Sequence, residues 1–136
     1  MLTLIPPFQP PPTEQLAMDA GVHWDAVRAT ADIAALALPE LDEQQCGSVI
    51  CDGYGALVYW LVPVHAADAW TLPTVRVLSA RSCLVVPAPH RVTPPGNFWM
   101  RPFARDHYLT EPTALHQALS HALTTAQPAT DPGRRP

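Results

Sequence analysis

The chain has no lysine, and its eight basic residues are all arginine. Twelve acidic side chains outnumber them, so the formal net charge is −4. Non-specific binding to nucleic acid needs a cationic surface that displaces counterions, and this charge balance disfavours it for the chain as a whole. Docking on an anionic membrane is disfavoured for the same reason. The lack of lysine, with seventeen prolines, is typical of a GC-rich genome such as an actinobacterial one.

Long apolar runs are also absent. No stretch of about 18 consecutive apolar residues occurs, so the sequence predicts no transmembrane helix. The first twelve residues include five prolines and no basic residue, which is unlike a secretory signal. We therefore expect a cytoplasmic protein.

The chain has only three cysteines, which is an odd number. Cys46, Cys51 and Cys83 cannot form a complete disulfide framework, and their spacing is not that of a zinc ribbon. We expect small buried thiols in a reducing compartment.

Motifs that carry chemistry are missing as well. His116 and His121 are five residues apart, whereas zinc binding from one helix face needs a spacing of four. The glycines at 53 and 55 are too close for a phosphate-binding loop and lie in a predicted turn. Asp25 has no second acid that the sequence would bring to it, although a divalent metal site needs convergent ligands. The sequence thus predicts no catalytic residue, no metal ligand and no cofactor.

The residues that are present predict a single α+β domain over 13–125. A proline-rich extended arm precedes it at 1–12, and a disordered tail follows at 126–136. Short connections favour a mostly antiparallel or mixed sheet of five or six strands with helices packed on it. The predicted strands cover 22–29, 48–51, 56–62, 75–78, 82–86 and 98–101, with a hairpin turn at 52–55.

Helical segments are predicted at four places. The last one carries a stripe of Leu115, Leu119 and Leu123, which must face a core or a partner. The four segments are 13–20 before Gly21, a helix capped by Thr30 or Asp32 and ended by Pro39, one turn at 66–70, and a helix that begins at Glu111 or Thr113.

Aromatic and arginine side chains concentrate near the predicted strands. Such side chains can stack on bases or anchor a protein interface. The candidate binding surface comprises Trp24, Asp25, Trp60, Arg76, Arg81, His90, Arg91, Trp99 and Arg101.

The order of segments over residues 22–101 adds a resemblance. The segments are WDAVRA (24–29), SVICDGYGALVYWLVP (48–63), VRVLSARSCLVVPAPHR (75–91) and GNFWM (96–100). Together they resemble the primase-polymerase domain of the archaeo-eukaryotic primase superfamily, with ALVYWLVP and CLVVPAP as the best-matching parts.

This resemblance implies a scaffold without the polymerase chemistry. Asp25 would match the family's first metal-binding acid, but Val27 stands at the second position. The family's histidine would fall near Leu57, and its third acid near 75–77, where no acid occurs. Phosphoryl transfer by two metal ions requires those carboxylates.

The expected function is a non-catalytic interaction module that binds a protein partner through exposed aromatic and apolar surface. The arm and the last helix are the expected contact elements. Three alternatives stay open: nucleic-acid or nucleotide binding, with arginines on phosphates and Trp60 or Trp99 stacked on a base; a homodimer; and an enzyme that uses His23 or His90 with a cysteine.

Overall fold

The computed structural model describes residues 7–53 and 56–126. Within these residues the chain forms seven strands and two α-helices, and a 3₁₀ turn at Leu38–Glu40 extends the first helix. In chain order they are β1 (Gln15–Asp19), β2 (Asp25–Thr30), α1 (Ala31–Ala37), β3 (Val49–Asp52), β4 (Leu57–Val62), β5 (Arg76–Leu78), β6 (Cys83–Pro87), β7 (Phe98–Arg101) and α2 (Pro112–Thr125).

Five of the strands form one antiparallel sheet in the order β5-β2-β4-β3-β7. The other two, β1 and β6, form a separate antiparallel pair. This arrangement confirms the predicted α+β class and the mostly antiparallel sheet. The β3–β4 pair is the predicted hairpin.

Both helices cover one face of the five-stranded sheet. Alternate residues of a strand point to opposite faces, and Val27 and Trp60 belong to the set that faces the helices. The leucine stripe of α2 at 115, 119 and 123 is buried in the same cluster. The predicted stripe thus packs on the protein's own core.

The β1–β6 pair covers the opposite face of the sheet. Leu84 and Val86 of β6 are buried against Ala26 and Leu61 of the sheet, with Met18 of β1 packed at the margin. The result is three layers: helices, a five-stranded sheet and a two-stranded sheet.

The prediction of a helix over 13–20 is wrong, because these residues contain strand β1. Its backbone hydrogen bonds are made with β6, which lies far away in sequence, and this pairing overrides the local helical pattern. Residues 66–70 are hydrogen-bonded turns and not the predicted helical turn.

The proline-rich arm is part of the fold from residue 7 onward. Phe8 is 3% exposed and contacts the rings of Trp24, Phe103 and Tyr108. Residues 1–6 of the predicted arm, and 127–136 of the predicted tail, lie outside the described residues. No helix in the described ranges is both long and apolar enough to cross a membrane.

Candidate functional site

The three tryptophans of the candidate binding surface are buried. Trp24 and Trp99 are each 1% exposed and Trp60 is 0% exposed. Trp99 also donates its indole N–H to the Pro87 carbonyl oxygen at 2.9 Å. The expectation that these side chains form an exposed surface is therefore wrong, and Trp60 and Trp99 cannot stack on a base in this fold.

The arginines of the candidate surface do not form one patch. Arg76 is exposed on β5 and Arg101 is half-buried on β7, which are the two outermost strands of the sheet. With adjacent strands about 4.8 Å apart, these strands are separated by roughly 19 Å. Arg81 is exposed in the turn between β5 and β6, with a left-handed backbone φ of 78°.

Arg91 and His90 lie in the loop after β6. His90 is exposed and Arg91 is half-buried. The Arg91 guanidinium donates to the backbone oxygens of Pro95 and Asn97 and lies 3.4 Å from a Glu14 carboxylate oxygen. Arg91 thus holds its own loop against the start of β1.

Asp25 is the one member of the predicted surface that the fold joins to other polar side chains in a compact cluster. It is 0% exposed and stands opposite Val62 in the β2–β4 pair. The chain turns just after Val62, so that the His65 backbone N–H donates to Asp25 Oδ2 at 2.8 Å. His65 Nδ1 in turn lies 2.9 Å from Asp68 Oδ2.

One donor atom each from Asp25, His65 and Asp68 lies within 4.8 Å of the others. Asp25 Oδ1, however, has no hydrogen-bond partner among the described residues. The His65 and Asp68 side chains are 77% and 54% exposed, so the cluster joins one buried carboxylate to two accessible ligand groups. The same loop lines a groove of about 380 Å³ through Ala66 and Trp70.

Sequence reasoning did not find His65 and Asp68 as neighbours of Asp25. Their proximity depends on β2 pairing with β4, whereas β3 is the next strand along the chain. The one usable signal is the His-x-x-Asp spacing directly after an apolar strand.

The free edge of β1 is a second feature that the sequence did not predict. Backbone bonds from Ala88 N–H to the Glu14 carbonyl and from Ala20 N–H to the Ser82 carbonyl fix the register of the pair. Alternation along the strand then directs the N–H and C=O groups of residues 15, 17 and 19 away from β6. No strand of residues 7–53 or 56–126 pairs with that side of β1.

Apolar side chains flank this edge. Leu16 is 55% exposed and Val22 is 49% exposed, and with Met18 and Trp24 they line a groove of about 280 Å³. Asp19 also lines this groove.

The outward side of β6 is already occupied. Asn97 Nδ2 donates to the Val85 carbonyl at 2.8 Å, and the Trp99 indole donates to the Pro87 carbonyl at 2.9 Å. Of the two edges of this small sheet, the β1 edge is thus the one that no strand of the described residues pairs.

Comparison of the chain with protein-family models, with curated proteins and with solved structures finds no match. The resemblance to primase-polymerase domains therefore stays a prediction. Within the fold, Val27 at the position of that family's second acid is buried beneath the helices.

Proposed function

We propose that this protein is a non-catalytic interaction module that binds an extended segment of another protein as a third strand beside β1. The observation that carries the proposal is the row of outward-facing backbone groups at Gln15, Ala17 and Asp19, which no described strand pairs. Extended peptides that add to a sheet edge gain affinity from main-chain hydrogen bonds and specificity from side-chain pockets. The primase-polymerase-like scaffold remains part of this proposal and does not determine the binding mode.

The β1 edge lacks most of the devices by which proteins protect an exposed strand. Proline, lysine and bulges commonly block such edges, and none of them occurs within Gln15–Asp19. Asp19 supplies the one charged side chain of the strand. An added strand would therefore meet little steric or electrostatic opposition.

The chemistry of the groove defines the partner. Leu16 and Val22 are large, exposed and apolar, so the bound segment would place an apolar side chain against them. Asp19 favours a lysine or arginine on the neighbouring position of the added strand. The expected partner is thus an extended, alternating apolar segment with a basic residue.

The test uses the full chain to select binders from a displayed library of random peptides of roughly ten residues, long enough for one strand. We expect alternating apolar sequences to be enriched.

The decisive variant is Ala17→Pro. Since the Ala17 N–H points away from β6, proline removes no bond of the β1–β6 pair, and edge strands tolerate it at such positions.

Ala17→Pro should weaken binding of the selected peptides at least about tenfold, because it removes an edge donor and its ring obstructs the new strand. Ala17→Thr is the matched control, since it keeps the N–H and suits a strand. Circular dichroism and thermal unfolding check that both variants fold. Equal affinity for wild type and Ala17→Pro would contradict the proposal.

Self-association is a separate outcome. If light scattering shows a dimer that Ala17→Pro converts to a monomer, the β1 edge serves a second copy of the chain, and the peptide partner is excluded.

A further inference from the structure

We propose that Asp25, His65 and Asp68 bind a divalent transition-metal ion of the Zn²⁺ type. The inference goes beyond the peptide-binding role and rests on different residues. Asp25 is two residues from Val27 on β2, so both point to the face of the sheet that the helices cover. Strand β1 lies on the opposite side.

The buried carboxylate of Asp25 is the first argument. Its Oδ2 accepts the His65 backbone N–H, but Oδ1 is buried without a hydrogen-bond partner among the described residues. An ionised group out of water is strongly unfavourable unless it is paired or coordinates a metal. A bound cation would satisfy Oδ1 and compensate the charge.

The donor set is the second argument. Two carboxylates and one imidazole suit Zn²⁺ and related first-row ions, whereas Mg²⁺ and Ca²⁺ prefer oxygen ligands alone. The three donor atoms lie within 4.8 Å of one another. Ligand distances of about 2.0–2.2 Å around zinc require a modest closure, which the exposed His65 and Asp68 side chains are free to make.

Access to the site is the third argument. The exposed side chains at 65 and 68 give an ion a direct path to the buried carboxylate. Three protein ligands also leave one position open for water or another ligand, as in catalytic zinc sites. The adjoining groove at Ala66 and Trp70 has room for such a ligand.

A purely structural role for Asp25 is the competing explanation. His65 adopts a left-handed backbone with φ of 72°, and the Asp25 carboxylate holds its N–H in that turn. That role needs one oxygen only and gives no function to Oδ1. Asp25→Asn distinguishes the two roles, because an amide oxygen can still accept the N–H but is a poor zinc ligand.

The test titrates the full chain with Zn²⁺ by calorimetry, in a Cys83→Ser background that removes the exposed thiol. We expect one ion per chain. Asp25→Asn, Asp68→Asn and His65→Asn should each weaken binding at least tenfold, since loss of a residue that only hydrogen-bonds to a metal ligand already costs roughly 10–100-fold. Asparagine tolerates the left-handed backbone at residue 65.

His90→Asn is the matched control, because His90 is an exposed histidine on a different loop. It should bind Zn²⁺ as tightly as the parent does. Spectra with Co²⁺ give a second readout: visible d–d bands are expected, without a thiolate charge-transfer band.

Two results would overturn the proposal. One is the absence of stoichiometric Zn²⁺ or Co²⁺ binding to the parent chain. The other is unchanged affinity in Asp68→Asn and His65→Asn, whose side chains are exposed and whose loss should leave the fold intact even if Asp25→Asn does not fold. Ala17→Pro should bind Zn²⁺ like the parent, so failure of one proposal does not imply failure of the other.

Discussion

At the scale of single residues, the three cysteines differ in burial. Cys46 is buried, and this burial raises the pKa of its thiol. Burial also raises the pKa of the half-buried Cys51 thiol, whereas Cys83 is exposed at the start of β6. Since the thiolate is the reactive form, the three side chains should differ in reactivity.

We predict that iodoacetamide at mildly alkaline pH modifies Cys83 first and Cys46 last. Mass spectrometry of peptides from a time course measures the order. The denatured chain is the control, in which all three thiols should react at similar rates. Modification of Cys46 as fast as Cys83 in the native state would contradict the described burial.

Asp25 also shows the limit of sequence reasoning at this scale. Its place on a strand could be predicted from the apolar residues around it. Its neighbours could not, because His65 and Asp68 reach it through a strand pairing that joins distant segments. The burial of Trp24 and Trp99 was missed for a similar reason: the β1–β6 pair, with Phe8, packs in the same cluster.

At the scale of elements, the sequence predicts those elements that are specified by local residues. It does not predict the strand that depends on pairing with a distant segment. Helix α2 was predicted because its leucine spacing is local, and Glu111 caps it by accepting the N–H groups of Thr113 and Ala114. The β3–β4 hairpin was predicted because its turn chemistry is local as well. Strand β1 was not, because its pairing partner β6 lies far along the chain.

The burial of the α2 stripe gives a prediction for that element. Leu119 is 0% exposed in the core beneath the helices. Leu119→Ala should lower the free energy of unfolding by about 2–5 kcal/mol, through lost burial and the cavity left behind. Urea denaturation measures this change. The exposed Gln117→Ala on the same helix should change stability by less than about 0.5 kcal/mol. Similar values for both variants would mean that the stripe faces solvent or a partner.

At the scale of the whole molecule, the described part of the arm packs in the same cluster as the β1–β6 pair. Phe8 packs among the rings of Trp24, just before β2, and of Phe103 and Tyr108, in the connection between β7 and α2, at centroid distances of 5.0–5.9 Å. Residues that the sequence assigned to an extended arm therefore contribute to the core.

Phe8→Ala should destabilise the protein by about 3–5 kcal/mol, as expected for a fully buried aromatic side chain. Thermal and urea unfolding of the full chain measure the loss. Gln9→Ala, one residue further on and exposed, is the matched control and should unfold like wild type. If Phe8→Ala is equally stable, the segment before β1 is not part of the core.

The three layers place the two proposed sites on different sides of one scaffold. The edge of β1 belongs to the two-stranded layer, and the Asp25 cluster belongs to the helix-facing side of the sheet. Each site can thus be removed by a variant that leaves the other intact, and a double variant should show additive effects on stability.

Amide hydrogen exchange, followed by NMR, tests the central claim of an open β1 edge most directly. In the free protein, Leu16 and Met18 should be protected by their bonds to β6, whereas Ala17 and Asp19 should exchange rapidly. A selected peptide should slow exchange at Ala17 and Asp19 at least about tenfold by giving them hydrogen-bond acceptors. Slow exchange of these two amides in the free monomer, or no change when peptide binds, would contradict the account.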